Sequence, residues 1–184
     1  GDQDLVVANQ VGNTVSVLKN NGQGTFSGGV TYATGNIPTT VVAADLDGDG
    51  DQDLAVSNYS SNSVSVLMNN GDGTYAAQVG YLTGSGPYSV FAADLDGDGD
   101  NDLAVANRNS NTVSVLMNGG GGFFLAKVDY GTGSNPWSVF SADLDGDGKP
   151  DLAVANLGSG NVSILKNNGN GTFATRVDYG SGSS

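Results

Sequence analysis

The sequence predicts an all-β repeat protein with four short antiparallel strands to each unit, and three observations carry that reading. An Asp-rich stretch recurs as Asp45–Asp53, Asp94–Asp102 and Asp143–Asp151, with Gly1–Asp4 matching the tail of another copy; Asp4, Asp53, Asp102 and Asp151 are 49 residues apart each time. A fixed interval of this length, without insertion or deletion, marks a structural repeat. Between the copies lie short apolar runs punctuated by Gly, Asn and Pro, and 30 of the 184 residues are glycine. No segment has the 3.6-residue period of an amphipathic helix.

The central unit shows how each strand is read. Pro87–Ala93 forms the first, since proline is tolerated as the opening residue of a strand. The Asp94–Asp102 loop turns the chain, and the continuous apolar run Leu103–Ala106 leaves it as a strand covered on both faces. Arg108–Asn111 makes a second turn, and Thr112–Met117 alternates as a strand should. Asn118–Gly122 turns the chain again. In the sister units this turn reads Asn20-Asn21-Gly22, Asn69-Asn70-Gly71 and Asn167-Asn168-Gly169, where Asn-Gly supplies the positive φ of a tight hairpin. A fourth strand is expected from Phe123 to Tyr130. Its sister positions Phe26, Val30 and Tyr32, then Tyr75, Val79 and Tyr81, then Phe173, Val177 and Tyr179, are expected on one face by the period of two.

Four such strands in each repeat describe the blade of a β-propeller. The whole chain is then one array of about 3.75 blades, divided near 1–37, 38–86, 87–135 and 136–184, the first without its inner strand. Two explanations stand for ends that fall in mid-blade. The chain is an excerpt of a longer array, or copies associate because a repeat unit cannot cover its own apolar faces.

The Asp-rich loop has its own chemistry. Carboxylates at loop positions 1, 3, 5 and 9, with glycine at 6, place hard oxygen ligands around a tight turn, which suits calcium. Like charges so close repel unless a cation neutralises them. Position 7 is Asp51, Asp100 or Lys149, as expected where only its backbone carbonyl is a ligand. With no His and no Cys, zinc and copper sites lack their preferred donors. A helix-flanked calcium loop needs glutamate at position 12; here that position is Val56, Val105 or Val154, and the chain has no glutamate.

The net charge of −13 is mostly that of these loops, because all but Asp72, Asp129 and Asp178 of the nineteen Asp lie in them or in the N-terminal remnant. Three divalent ions would bring it to −7. Six scattered Lys and Arg form no basic patch, which argues against nucleic acid. No apolar run is long enough to span a membrane. Without His, Cys or Glu, the usual catalytic bases and nucleophiles are missing, so no enzymatic activity is expected. Calcium loops without a strongly binding glutamate suit millimolar calcium, hence an extracellular or cell-surface setting.

The Asp-x-Asp-x-Asp-Gly-x-x-Asp loop followed by Leu-Ala-Val, the Val-Ser-Val-Leu strand and Asn-Asn-Gly-x-Gly-Thr-Phe together resemble the FG-GAP/VCBS repeats of integrin-type calcium-binding β-propellers. The resemblance implies one structural calcium in the turn between the first two strands of each blade. Its ligands would be Asp45, Asp47, Asp49, Asp51 and Asp53; Asp94, Asp96, Asp98, Asp100 and Asp102; and Asp143, Asp145, Asp147, Lys149 and Asp151, with Asp51, Asp100 and Lys149 acting through their carbonyls. Asp2 and Asp4 keep only the end of a loop.

At the opposite end of the blades stand Tyr59, Tyr88, Arg108 and Trp137, a candidate platform for a glycan or protein ligand. The expectation is therefore a non-enzymatic, calcium-stabilised extracellular module for adhesion or recognition. The alternative is a structural subunit of a self-assembling extracellular fibre or sheath.

Overall fold

The computed structural model describes residues 2–182, and among them every regular element is a strand. The first sheet holds β1 (Leu5–Asn9), β2 (Thr14–Leu18) and β3 (Val30–Ala33). The second holds β4 (Pro38–Ala44), β5 (Asp53–Asn58), β6 (Ser63–Leu67) and β7 (Val79–Leu82). The third repeats it with β8 (Pro87–Ala93), β9 (Asp102–Asn107), β10 (Thr112–Leu116) and β11 (Val128–Gly131). The fourth has β12 (Pro136–Ala142), β13 (Asp151–Asn156), β14 (Asn161–Leu165) and β15 (Val177–Gly180). Each sheet is an antiparallel meander in chain order, and the first has no strand inside β1. Four successive sheets of this kind are propeller blades.

The turns follow from their residues. Asn13, Asn62 and Asn111, between the second and third strand positions of a blade, take φ of 52°, 52° and 56°, a left-handed conformation that asparagine tolerates. Gly22, Gly71 and Gly169 supply φ of 81°, 83° and 87° in the Asn-Gly turns, as expected.

The fourth strand is shorter than the sequence suggests. In the third sheet only Val128–Gly131 is strand, and Phe124 pairs with Asn118 in an isolated bridge. The intervening residues leave the ladder, so the period of two does not carry across them. The aromatic residues at the two ends therefore face opposite ways: Phe124 packs back against the second sheet, whereas Tyr130 packs forward against the fourth. The expectation of one shared face fails for this reason.

The core lies between sheets. Between the second and third, Leu46, Ala55, Val64 and Val66 meet Val90, Leu103, Val105, Leu116 and Phe124. The next interface repeats the set with Leu95, Ala104, Val113 and Val115 against Val139, Leu152, Val154, Leu165 and Phe173. Burying each such aliphatic side chain contributes about 1.5–3 kcal/mol relative to exposure. Stacking is thus what stabilises a blade. The second strand of a blade is buried along its whole length in β5 and β9, which explains its unbroken apolar sequence.

Candidate metal centres and an aromatic rim

Each Asp-rich loop joins the first and second strands of a blade, and its carboxylates first organise the turn. Asp45 accepts the N–H of Gly48 at Oδ1 (2.8 Å) and of Gly50 at Oδ2 (3.0 Å); Asp47 accepts from Asp49, and Asp49 from Asp51. Asp94 and Asp143 hold their loops in the same way. The last Asp has a different task. Asp53 is fully buried and accepts the N–H of Leu46 (2.8 Å) and of Asn69 (2.7 Å), tying the loop entrance to the Asn-Gly turn of the same blade. Asp102 does so with Leu95 and Asn118, and Asp151 with Leu144 and Asn167.

The loops also clasp the following blade. Asn118 donates through Nδ2 to the Leu46 carbonyl at 2.7 Å, and Asn167 to the Leu95 carbonyl at 2.7 Å. Asn101 donates to the Asp45 carbonyl at 2.9 Å. Leu46 and Leu95, at loop position 2, are themselves plugs in the core between sheets.

Oxygens of Asp45, Asp47 and Asp53 come within 4.8 Å of one another, as do those of Asp94, Asp96 and Asp102, and those of Asp143, Asp145 and Asp147. The side-chain oxygens of Asp49, Asp98 and Asp151 are not among these groups. Burial pushes the Asp53 and Asp96 carboxyls above their ordinary range and Asp102 up to about 6, against the pull of the N–H groups of Asn118 and Leu95. All-oxygen donors converging on one point fit a hard divalent cation.

The third loop differs. Lys149 pairs with Asp147 at 2.9 Å, which holds that carboxyl below its usual range, and Lys166 pairs with Asp145 at 2.8 Å. Part of its charge is already answered by the chain.

Tyr59, Tyr88, Arg108 and Trp137 come together in one cluster. Tyr59 stands edge-on to Tyr88 with centroids 6.5 Å apart, and Tyr88 lies 4.1 Å from Trp137. The Arg108 guanidinium sits over both Tyr88 (5.8 Å) and Trp137 (5.1 Å), within cation–π range. What sequence reasoning missed is how the rim residue is aimed. Each first strand carries a β-bulge at its start, so that Thr39, Tyr88 and Trp137 are the extra, unpaired residues. Proline immediately before each was the available signal.

A model of the FG-GAP-like repeat matches residues 1–56, 45–105, 94–154 and 143–184. The chain belongs to the FG-GAP-like repeat family. No curated protein matches its sequence. Among solved structures, a lectin from Agrocybe aegerita, described for specific recognition of non-reducing terminal N-acetylglucosamine, is 27% identical with a TM-score of 0.60, over 89% of this chain and 46% of the lectin. Virginiamycin B lyase from Staphylococcus aureus is 16% identical with a TM-score of 0.65, over 96% of this chain and 52% of the lyase. The biofilm matrix protein Bap1 of V. cholerae is 19% identical with a TM-score of 0.58, over 95% of this chain and 26% of Bap1. This FG-GAP-like array therefore spans about half of the first two chains and a quarter of the third. The neighbours include an enzyme as well as binding and matrix proteins, so the shared fold does not by itself assign an activity. No helix among the described residues is long and apolar enough to cross a membrane.

Proposed function

We propose that this chain is a calcium-stabilised, non-enzymatic extracellular module for adhesion or recognition, with a glycan as the favoured ligand and a protein as the alternative. The observation that carries the reading is the pairing of three acidic hairpin loops with an aromatic rim at the opposite end of the same strands. Five residues of β8, Ser89–Ala93, separate Tyr88 from its loop, roughly 20 Å at strand spacing.

A bound calcium ion would supply positive charge to answer the like charges that each loop gathers. The chain's own residues do the rest. Asp45, Asp94 and Asp143 hold the turns, Asp53, Asp102 and Asp151 tie each loop to its blade, and Asn118 and Asn167 tie loops to the following blade. Fixed blade spacing keeps Tyr88 and Trp137 in register at the rim, where flat apolar rings flanked by Arg108 suit the face of a sugar. The likeness to a lectin supports a glycan over a protein ligand.

The single tryptophan makes the test direct. Oligosaccharides ending in N-acetylglucosamine are titrated against Trp137 fluorescence, with calcium and with chelator. Saturable quenching of Trp137 that is lost in Tyr88→Ala and weakened by chelation supports the reading. A melting curve that chelator leaves unmoved removes the calcium part, and flat titrations across a glycan panel remove the ligand part.

A further inference from the structure

We propose that the rim selects an acidic glycan, one that sets a sugar carboxylate against Arg108. The proposal rests on the recognition reading and names the chemical class of the ligand.

Charge is sorted along the strands. Among the described residues Lys19, Lys127, Lys149, Lys166 and Arg176 each pair with an aspartate, and Arg108 alone of the basic side chains does not. The segments that build its end of the blades are the turns 9–13, 58–62, 107–111 and 156–160 and the connections 34–37, 83–86 and 132–135, and none contains an acidic residue. Every Asp lies instead at the loop end or on an outer strand, where Asp129 and Asp178 are held by Lys127 and Arg176. Among the described residues the rim therefore carries one formal charge, and it is positive.

That charge is held in place without being answered. The Arg108 N–H donates to the Gly86 carbonyl at 2.8 Å, and the guanidinium rests over the rings of Tyr88 and Trp137. Cation–π contact positions a cation but offers its N–H groups no oxygen. A carboxylate does, through two parallel N–H···O bonds that match the guanidinium fork. The neighbours are donors too. Asn109 accepts the Tyr59 hydroxyl at Oδ1 (3.2 Å), which leaves its Nδ2 to donate, and Trp137 brings an indole N–H that can only donate. The repeat itself does not require a cation here, because the sister positions of Arg108 are Gln10, Tyr59 and Leu157.

Arg108 and Tyr88 belong to the third sheet, which has a sheet packed on each side, so their setting comes from the interior of the array. The acidic loops do not override it. Tyr88 stands roughly 20 Å from its loop at strand spacing. That is more than two screening lengths of about 8 Å at physiological ionic strength. A neutral sugar gains ring contact with Tyr88 and Trp137 alone, whereas an acidic one adds the Arg108 fork. For a charged hydrogen bond at a half-exposed site the expected gain is about three- to tenfold in affinity.

The test titrates Trp137 fluorescence, in calcium, with two forms of one oligosaccharide that end in glucose or in glucuronic acid and so differ only in a hydroxymethyl group against a carboxylate. The acidic form should bind about three- to tenfold tighter, and the gap should narrow as salt is raised. Arg108→Gln should erase the preference, and Arg108→Lys should keep part of it, since the charge persists without the fork. Melting curves of both variants show that they fold. Equal affinity for the two forms, or a preference that survives Arg108→Gln, overturns the acidic assignment and leaves glycan recognition standing. So does an aspartate-rich peptide that binds as tightly as the acidic form, because charge alone then suffices. Flat titrations with both forms, while oligosaccharides ending in N-acetylglucosamine still bind, overturn it as well; flat titrations with all three remove the recognition reading along with it.

Discussion

Asn118 and Leu46 are 72 residues apart, yet the Asn118 side chain donates to the Leu46 carbonyl across 2.7 Å. That bond joins the Asn-Gly turn of one blade to the acidic loop of the blade before it. Asn118 also donates to the Asn101 carbonyl and accepts the N–H of Gly120, and it is 3% exposed. Its counterpart Asn69 makes the local bonds alone, to the Gln52 carbonyl and from Gly71, in a more exposed setting. Asn118→Ala should therefore cost about 2–4 kcal/mol, since it orphans buried groups, and Asn69→Ala about 1 kcal/mol. Chemical denaturation of both variants in calcium checks the difference; equal losses would show that the inter-blade bond adds nothing.

The Asp102 carboxyl sets a pH dependence whose sign is opposite to that of a salt-bridged carboxylate. Burial raises it from the ordinary 3.8 to about 6 in the folded chain. Between those values the folded state holds a proton that the unfolded state has released, so stability is highest below the window and falls as pH rises through it. Asp53 and Asp96, also raised, add to the same trend. Thermal melts of chelated protein should decline from about pH 4 to pH 6 and level off above. Calcium should reverse the slope, because it binds the ionised clusters. A chelated melting temperature that climbs across this range would contradict the account.

The three loops should not bind calcium equally. Lys166 and Lys149 already pair with Asp145 and Asp147, whereas residue 68 or 117 in the position of Lys166 is methionine. A resident ammonium competes with an incoming cation. Lys166→Met should raise affinity at the third loop severalfold and leave the other two unchanged. Calorimetric titration of the variant beside the parent reads this out, resolving two tighter sites and one weaker site before the substitution.

Gly84 illustrates a glycine required by close approach. A Cβ there would lie 2.6 Å from Ser110 Oγ and 2.7 Å from Asn107 Nδ2, whereas at Gly80 the nearest atom is Gln78 Oε1 at 3.7 Å. Gly84→Ala should destabilise by roughly 1–3 kcal/mol through overpacking. Gly80→Ala should be neutral or stabilising by about 0.5 kcal/mol. Paired denaturation curves give the comparison, and an Ala at Gly84 as stable as the parent would mean that Asn107 and Ser110 yield freely.

The repeat, the strand order within a blade and the acidic loops were legible because they are written locally. Asp45 to Asp53 is one turn, and Leu103–Ala106 is apolar because β9 is covered on both sides. The dual use of the loop was harder to see. Asp102 looks in sequence like one more ligand, yet its carboxylate is engaged by the N–H groups of Leu95 and Asn118. The opposite facing of Phe124 and Tyr130 was hidden because a departure from the ladder has no fixed periodicity. The bond from Asn118 to Leu46 depends on how one sheet is rotated over another, which no spacing within a repeat encodes.

The bulges at Thr39, Tyr88 and Trp137 have a wider consequence. A residue outside the ladder has no backbone pairing to preserve, so its side chain takes different neighbours in each unit: Thr39 bonds to Ser57 Oγ at 2.9 Å, whereas Tyr88 lies against Trp137. Threonine, tyrosine and tryptophan occupy equivalent points of otherwise near-identical units, so the rim is a row of interchangeable sockets. New surface specificities can be installed there one position at a time, with the stacked scaffold left as it is.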